Sequence, residues 1–413
     1  MVILFQVLGM LETVYSEQNK CGGEKMIKPI KVMTIFGTRP EAVKMAPLVL
    51  EFQKHPDYFT PIVAVTAQHR QMLDQVLNLF SIKPDYDLNI MKDRQTLADI
   101  TTRGLSGLDK VMKEANPDIV LVHGDTTTTF VASLAAFYNR ISVGHVEAGL
   151  RTWNKFSPYP EEVNRQLTGI IADLHFAPTD LAVENLKLEN KTDNIFVTGN
   201  TATDALKTTV SESYSHPILD QIGSDRLILM TAHRRENLGQ PMRNIFKAVK
   251  RILAEQDDIQ VIYPVHLNPA VRELADEILG NDPRIHLIEP LDVLDFHNFA
   301  ARAHLIMTDS GGIQEEAPTL GVPVLVLRDT TERPEGISAG TLKLAGTDEE
   351  TIFNLAMELL TDQQVYQSMA HASNPYGDGN ASVRIAEAIR YYFKQTDTPP
   401  EPFQVEGKKE KSR

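Results

Sequence analysis

Short apolar segments alternate with stretches of helical periodicity along most of this chain, and this alternation constrains its fold more than any other feature. Apolar strands that alternate with helices are typical of parallel sheets, which helices cover on both faces. The predicted strands are residues 31–36, 61–66, 119–123, 141–146, 227–230, 259–263, 285–288, 304–308 and 323–327. The sequence therefore predicts an α/β fold built on parallel sheets.

The strands fall into two series, which the less periodic residues 211–224 separate. A chain of 413 residues is long enough for two domains with a core in each. We predict two α/β domains whose parallel sheets face a central cleft. The predicted divisions are 1–25 (an extension that is disordered or not native), 26–205 (the N-terminal domain), 206–380 (the C-terminal domain), 381–395 (a helix that packs back on the first domain) and 396–413 (a disordered tail).

The composition argues against several classes of partner. The formal net charge of −14 argues against nonspecific nucleic-acid binding, which needs a basic face. No stretch approaches the roughly 20 apolar residues that span a membrane. Cys21 is the only cysteine, so we predict no internal disulfide and no cysteine-based zinc site. A reducing, cytoplasmic compartment is the simplest interpretation.

Three familiar motifs for cofactors and metals are missing from the sequence. The first predicted strand is not followed by G-x-G-x-x-G, and neither a P-loop nor an H-E-x-x-H pattern occurs. The first two absences weigh against a dehydrogenase and a kinase, and the third gives no sign of a metal. We therefore predict no cofactor and no metal.

Polar side chains follow the C-terminal ends of many predicted strands. In open parallel sheets, ligands bind at that edge. Two such sheets that face each other would direct these side chains toward one cleft between the domains. The residues concerned are Arg39, Gln68, Asp125, Glu147, His233, His266 and Ser310.

Ser310-Gly311-Gly312 joins a predicted strand to a predicted helix over residues 313–319. Two glycines there let the backbone approach a ligand closely, and the first helical turn favours an anion. Glu315 and Glu316 lie in the same turn, so the pattern suits a ligand with both phosphate and vicinal hydroxyls, such as a nucleotide. Acidic residues that only complement the helix dipole are the alternative.

Other candidates also have a functional and a structural interpretation. Arg39 and Lys44 lie near a helix start and could contact phosphate, or could be surface charges of a capped helix. Asp125 could act in catalysis or cap a helix. Glu147 ends an apolar strand, where a carboxylate needs a partner or a raised pKa. Glu161 follows Pro160 and could be a dipole partner.

The cluster His233-Arg234-Arg235-Glu236-Asn237 directly follows a predicted strand. A histidine beside two arginines can hold a pyrophosphate and exchange protons. A solvated charged loop is the alternative, but the strand end is predicted to point into the cleft. The cluster therefore favours a diphosphate-binding site.

Six motifs follow one another along about residues 30–392, namely Gly37–Glu41, His123–Thr126, Val146–Arg151, Pro160–Arg165, Thr231–Asn237 and Thr308–Glu316. Together and in this order they resemble the motifs of the bacterial non-hydrolysing UDP-N-acetylglucosamine 2-epimerases. The resemblance implies two Rossmann-like domains in the GT-B-like arrangement of one large glycosyltransferase class, with the nucleotide bound by the second domain, 206–380.

The resemblance implies reversible C2 epimerisation of UDP-N-acetylglucosamine (UDP-GlcNAc) to UDP-N-acetylmannosamine (UDP-ManNAc), which supplies cell-surface polysaccharide precursors. It implies elimination of UDP, a bound 2-acetamidoglucal intermediate and re-addition of UDP, without a cofactor. Such chemistry needs a base, an acid for the opposite face and tight retention of UDP. The resemblance also implies a homodimer and a second UDP-GlcNAc that activates the enzyme.

The functional residues of that family map onto positions of this chain in three groups. The implied catalytic residues are Asp125, Glu147, Glu161 and His233. The implied UDP contacts are Arg39, Lys44, Phe296, Ser310, Gly311, Gly312, Glu316 and Arg333, with Glu316 on the ribose. The implied contacts of the activating UDP-GlcNAc are Gln68, Gln71, Arg94, Arg234 and His266, with Glu161 shared.

Three other functions are compatible with parts of this pattern. A hydrolysing epimerase would release UDP and free N-acetylmannosamine. A glycosyltransferase of the same architecture would require an acceptor. A catalytically silent sensor of nucleotide sugars is disfavoured by the complete set of implied catalytic residues.

Overall fold

A computed structural model describes residues 28–67, 70–92 and 95–405, and its first sheet has seven parallel strands. Their spatial order is β3-β2-β1-β4-β5-β6-β7. The strands are therefore added outward from β1 in one direction as far as β3 and then, from β4 onward, in the opposite direction. The strands are β1 (Ile30–Phe36), β2 (Phe59–Val65), β3 (Tyr86–Asp87), β4 (Ile119–His123), β5 (Ser142–Val146), β6 (Leu174–Ala177) and β7 (Ile195–Val197).

The second sheet has six parallel strands in the order β10-β9-β8-β11-β12-β13. Both sheets are open and doubly wound, which confirms the predicted α/β fold with two Rossmann-like domains. The strands are β8 (Arg226–Thr231), β9 (Ile259–Pro264), β10 (Ile285–Ile288), β11 (Leu305–Thr308), β12 (Val324–Val326) and β13 (Leu342–Leu344).

Helices cover the faces of both sheets. Those that belong mainly to the first sheet are α1 (Arg39–Lys54), α2 (Arg70–Leu79), α3 (Leu97–Ala115), α4 (Thr127–Tyr138), α5 (Glu161–Ile171), α6 (Asp180–Leu188) and α7 (Thr201–Thr209). The later helices are α8 (Pro217–Ile222), α9 (Gln240–Glu255), α10 (Pro269–Leu279), α11 (Val293–Arg302), α12 (Gly311–Glu316), α13 (Pro334–Ala339), α14 (Glu349–Thr361), α15 (Gln363–Ala370) and α16 (Ala381–Tyr392). Short 3-10 turns occupy Arg235–Asn237 and Ala317–Leu320. No helix among the described residues is long and apolar enough to cross a membrane.

Four short strands, β3, β6, β7 and β13, were not among the predicted strands. Each has only two to four residues, and β6 includes the polar His175. Such segments carry too few apolar residues for a local pattern, and pairing with a longer neighbour defines them.

The predicted division between 205 and 206 falls inside α7, a continuous helix. This helix packs against α1 and α16 and also against α11 and α12. It therefore contacts elements of both halves, and the first extended connection follows it at residues 210–216.

The last helix returns to the first half of the chain. Ile385 and Ile389 of α16 are buried in the same core cluster as Phe52 of α1. The carboxylate of Asp204 on α7 accepts the N–H groups of Ala381 and Ser382 at 3.2 and 2.7 Å. It thereby satisfies backbone donors at the start of α16, which fixes the helix on the first domain.

The tail was predicted to be disordered over 396–413, and this prediction is wrong for residues 396–405. Phe403 is 7% exposed, and its N–H donates to the Val197 carbonyl at 2.8 Å. The Arg384 guanidinium lies 5.6 Å from the ring centre of Phe403. The tail is ordered because the edge of β7 provides a carbonyl that accepts its N–H group and an apolar site for Phe403. The composition of the tail alone does not reveal these contacts. The rest of the tail and the predicted extension 1–25 lie outside the described residues.

Candidate active site

A cavity of about 340 Å³ lies between the two domains, at the C-terminal edges of the sheets. The first domain contributes carboxylates and arginines, and the second contributes a glycine-rich loop and further arginines. Its lining includes Asp125, Arg151, Glu161, Arg165, Asn185, Arg234, Ser310, Gly311, Gly312, Glu332, Arg333 and Glu335. Seven of the residues predicted from sequence therefore meet at one place, namely Asp125, Glu161, Arg234, Ser310, Gly311, Gly312 and Arg333.

The loop Ser310-Gly311-Gly312 follows β11 and begins α12. The Ser310 N–H donates to the Thr308 hydroxyl at 3.0 Å, and the Ser310 carbonyl accepts from the Gln314 amide at 3.1 Å. A Cβ on Gly311 would lie 3.1 Å from the Arg333 guanidinium carbon. The absence of a side chain at Gly311 lets the guanidinium lie directly against the backbone of the loop, and a Cβ there would push it away by a few tenths of an ångström.

Arg333 is held in that position by Glu315. Its Nε and Nη2 atoms each lie 2.8 Å from Oε1 of Glu315. Burial alone would lower the pKa of Arg333, but the charges of Glu315 and other nearby carboxylates raise it above its ordinary value. The guanidinium is therefore a permanent positive charge beside the glycine loop.

Asp125 projects from the turn after β4. Gly124 has φ +67°, and its carbonyl accepts from Nε2 of the buried His145 at 2.7 Å. Burial lowers the pKa of His145 to about 3, so a neutral imidazole fixes this turn. The carboxylate of Asp125 pairs with Arg165, and its carbonyl accepts from the Asn164 amide at 2.9 Å. The turn is thus held from two sides.

Glu161 is the first residue of α5, and one oxygen of its carboxylate is buried. Among the described residues, Glu161 Oε2 has no hydrogen-bond partner. Leaving a buried carboxylate oxygen unpaired is costly. Because Glu161 lines the cavity, a bound ligand is the natural source of the missing donor.

Glu147 lies at the centre of a buried ion network behind the cavity. It has φ +62°, and its Oε2 pairs with Lys44 and accepts from the Asn200 amide at 2.9 Å. His123 Nε2 lies 3.5 Å from the same oxygen. Burial would raise the pKa of Glu147, but Lys44 and His123 lower it well below its ordinary value. Glu147 is therefore a carboxylate at neutral pH.

Lys44 was predicted to contact phosphate, but its ammonium group has two carboxylate partners in this structure. Besides Glu147, it lies 3.3 Å from Oε2 of Glu315. The same Glu315 oxygen accepts from Asn200 at 3.0 Å. Burial would lower the pKa of Lys44, and the two carboxylates raise it above its ordinary value.

His233 follows β8 and is organised by the fully buried Asp309. The backbone N–H groups of His233 and Arg234 each donate to Asp309 Oδ2 at 2.8 Å. His233 Nδ1 lies 3.3 Å from Asp309 Oδ1, and its ring stacks on that of His266 at 5.5 Å. Burial lowers the pKa of His233, and Asp309 partly opposes this.

Several predicted site residues do not line the cavity. Arg39 is half-buried at the start of α1, Gln71 is exposed on α2, and His266 is exposed after β9. Phe296 packs at the border of a core cluster of the second domain. Glu316 Oε2 lies 3.5 Å from His297 Nε2. Gln68 and Arg94 lie outside the described residues.

Sequence reasoning missed five residues that organise the site. Arg151 and Arg165 belong to motifs that were recognised, so their charge and motif membership were available signals. Glu315 was noted, but Glu316 was chosen in its place. Asp309 lies within the recognised motif Thr308–Glu316, so its motif membership was also an available signal. Asn200 follows β7, a strand that was not predicted, and it gave no signal.

Two Rossmann-like domains that enclose a cavity to which both contribute guanidinium groups and carboxylates define an enzyme of the GT-B-like class. A sequence model of the UDP-N-acetylglucosamine 2-epimerase family matches residues 50–390. The UDP-N-acetylglucosamine 2-epimerase of Bacillus subtilis (strain 168) is 67% identical over 378 residues, which cover 91% of this chain and 99% of the relative. The chain therefore belongs to the UDP-N-acetylglucosamine 2-epimerase family, in its bacterial non-hydrolysing branch.

Solved structures agree with this assignment. The Neisseria meningitidis UDP-GlcNAc 2-epimerase bound to UDP-GlcNAc is 50% identical, with a TM-score of 0.79, and the match covers 87% of this chain and 99% of that one. The Methanocaldococcus jannaschii enzyme in complex with UDP-GlcNAc and UDP is 33% identical, with a TM-score of 0.72, over 88% of this chain and 100% of that one. The shared fold extends over nearly the whole of both relatives.

Proposed function

We propose that this enzyme interconverts UDP-GlcNAc and UDP-ManNAc by elimination and re-addition of UDP. The observation that carries the proposal is the cavity in which Asp125 and Glu161 of one domain face Arg333 and the Ser310-Gly311-Gly312 loop of the other. The N. meningitidis and M. jannaschii relatives, which are bound to UDP-GlcNAc and to UDP-GlcNAc with UDP, support the same ligand here.

The second domain holds the nucleotide in this proposal. The diphosphate lies against the glycine loop, where Arg333 supplies a fixed positive charge and Ser310 supplies a hydroxyl. The uracil stacks near Phe296, and Glu316 accepts hydrogen bonds from the ribose hydroxyls. Further UDP contacts from Arg39 and Lys44 come from the first domain, so full binding draws the two domains together.

The elimination step moves one proton and one leaving group. A base takes the proton from C2, and the C–H electron pair forms the C1=C2 double bond. The C1–O bond breaks, and its electron pair remains on the departing phosphate oxygen of UDP. Guanidinium groups beside the diphosphate stabilise the charge that develops there. The products, UDP and 2-acetamidoglucal, stay bound.

The return step delivers a proton to the opposite face of C2, and UDP re-forms the bond at C1. Asp125, Glu147, Glu161 and His233 supply the proton-transfer groups. Glu147 takes part as a carboxylate because Lys44 and His123 lower its pKa. Glu161 presents a buried oxygen without a protein partner, so it is placed to bind a substrate hydroxyl or to transfer a proton.

We further propose that a second UDP-GlcNAc binds next to the substrate and activates the enzyme. The residues implied for it include Arg234, which lines the cavity, and His266, whose ring stacks on His233. Gln71, with Gln68 and Arg94, completes the implied set. We also propose that the enzyme is a homodimer and that UDP-ManNAc feeds cell-surface polysaccharide synthesis.

Turnover in deuterated water tests the proposed reaction. With UDP-GlcNAc alone, UDP-ManNAc should form with deuterium at C2, without an acceptor and without net release of UDP. Stoichiometric free UDP with N-acetylmannosamine would show a hydrolysing epimerase instead. A dependence on an added acceptor would show a glycosyltransferase, and product without deuterium would exclude proton exchange at C2.

A further inference from the structure

Glu315 is the buried group that joins the two halves of the site. Its side chain is 3% exposed, and each of its oxygens faces a different domain. Oε1 accepts from Arg333 of the second domain at 2.8 Å. Oε2 lies 3.3 Å from the Lys44 ammonium and accepts from the Asn200 amide at 3.0 Å. One carboxylate thus contacts the nucleotide-binding loop region and the first domain at once.

Glu147 uses the same two donors. Its Oε2 pairs with Lys44 and accepts from the Asn200 amide at 2.9 Å. The carboxylates of Glu147 and Glu315 therefore share one ammonium and one amide. In a buried site, two carboxylates repel strongly unless donors lie between them.

The charges of this group balance. Lys44 and Arg333 each carry one positive charge, and Glu147 and Glu315 each carry one negative charge. His123 also faces Glu147, with Nε2 at 3.5 Å. Arg333 is close enough to Glu147 that the carboxylate helps to raise the pKa of the guanidinium. Because water is largely excluded, a change in the charge of any member alters the electrostatic energy of the others.

We propose that Glu315 is a positioning residue that couples the nucleotide-binding Arg333 to the reacting carboxylate Glu147 by sharing Lys44 and Asn200 with it. This inference rests on the proposed function, since that function gives Arg333 and Glu147 their roles. When the domains meet, Glu315 orients the guanidinium and draws Lys44 and Asn200 partly away from Glu147. Glu147 is then ionised, but Lys44 neutralises its charge only in part. The carboxylate therefore remains able to accept a proton.

Substitution of the shared amide offers a sharp test. Asn200→Asp keeps the oxygen that accepts the Ala202 N–H at 3.0 Å, so the start of α7 is preserved. It replaces the shared donor by a third carboxylate around Lys44. The ionised form of Glu147 becomes less favourable. The acidic limb of the pH profile of kcat should therefore lie at a pH higher than in the wild type by about one pH unit or more.

The double variant Asn200→Asp with Glu315→Gln should reverse that shift. It has one carboxylate fewer around Lys44, so Glu147 becomes easier to ionise and the acidic limb returns toward its wild-type position. Glu315→Gln alone should raise KM and lower kcat, each by about tenfold, since Arg333 loses its charged partner and Lys44 moves toward Glu147. A merely structural Glu315 would not reverse a pH shift that is caused at residue 200.

Glu277→Gln is the matched control, because Glu277 is an exposed carboxylate of the second domain that pairs only with Arg243 among the described residues. It should leave the kcat profile unchanged. Circular dichroism and thermal unfolding establish that each variant is folded. If Glu315→Gln does not fold, Glu315→Ala takes its place, since it also removes the carboxylate from Lys44.

The inference is overturned if Asn200→Asp has a wild-type pH profile, or if the Glu315 substitution leaves the shifted limb in place. Failure of the proposed function looks different, because the wild-type enzyme would then not incorporate deuterium at C2. The two outcomes are measured on different proteins and cannot be confused.

Discussion

Glu161 and Glu162 are adjacent on α5 but have opposite environments. Glu162 is fully buried and accepts the N–H groups of Thr152 and Trp153, each at 3.0 Å. Its Oε2 also lies 3.3 Å from Arg165. Glu161 lines the cavity, and its Oε2 has no partner among the described residues. The carboxylate of Glu161 is therefore available to a ligand, whereas that of Glu162 holds the loop that borders the cavity.

This contrast predicts opposite effects of two isosteric substitutions. Glu161→Gln should reduce kcat at least about 100-fold and leave the free energy of unfolding nearly unchanged. Glu162→Gln should lower the free energy of unfolding by about 3 kcal/mol, since it weakens several hydrogen bonds of a buried carboxylate. Urea unfolding and steady-state kinetics of both variants provide the measurement, and equal stability losses would contradict the assignment.

Asp125→Asn separates chemistry from binding. Asp125 contacts Arg165 in the first domain, whereas the proposed UDP contacts lie mainly in the second. Epimerisation should fall at least about 100-fold, and the Kd of UDP should change less than about threefold. Calorimetric titration with UDP and deuterium exchange at C2 measure the two effects. Near-normal turnover would remove Asp125 from the reaction.

Gly311→Ala should weaken nucleotide binding. The new methyl group would lie 3.1 Å from the Arg333 guanidinium, which must then move away from the loop. KM should rise about tenfold, equivalent to the loss of roughly one charge-assisted hydrogen bond. Gly312→Ala is the matched comparison, because its Cβ would meet only Glu316 Oε1, at 3.9 Å, and a smaller effect is expected. A larger effect of Gly312→Ala would contradict the role given to Arg333.

The burial of two histidines leads us to expect that the folded state becomes less stable at acidic pH. Burial lowers the pKa of His145 to about 3 and that of His175 to about 4, whereas both have ordinary values near 6.5 in the unfolded chain. The unfolded chain therefore binds more protons between these values. The contribution of the two neutral imidazoles to the free energy of unfolding is therefore complete above pH 6.5. It is lost as the pH falls toward the folded-state pKa values, by about 1.4 kcal/mol per pH unit for each histidine.

The variant His175→Gln isolates one of the two contributions. Its stability at neutral pH can change for other reasons, so the slope of unfolding free energy against pH is the informative quantity. Between pH 6 and pH 4, roughly one proton fewer should be taken up on unfolding than in the wild type. Denaturant unfolding across this range measures the slope, and an unchanged slope would show that His175 is protonated in the folded state.

The general position of the site was predictable from local pattern. Asp125, Glu147, His233 and Ser310 were predicted to meet because each follows a parallel strand, and strands of one sheet end at the same edge. The structure places Asp125 and Ser310 on the cavity and Glu147 directly behind it. Residues such as Phe296 and Gln71 were assigned by resemblance alone and lie away from the cavity, so their roles remain predictions.

The sequence by itself determined the two parallel sheets, the glycine loop and the set of charged groups, because apolar periodicity and strand ends are local properties of the chain. The tertiary structure alone decided which of two neighbouring carboxylates faces which partner. Successive residues on a helix point about 100° apart, so docking of the helix chooses Glu315 over Glu316 for Lys44 and Arg333, and Glu161 over Glu162 for the cavity. Asn200 acquires its place between two carboxylates only when the two domains meet, and no local pattern encodes that contact.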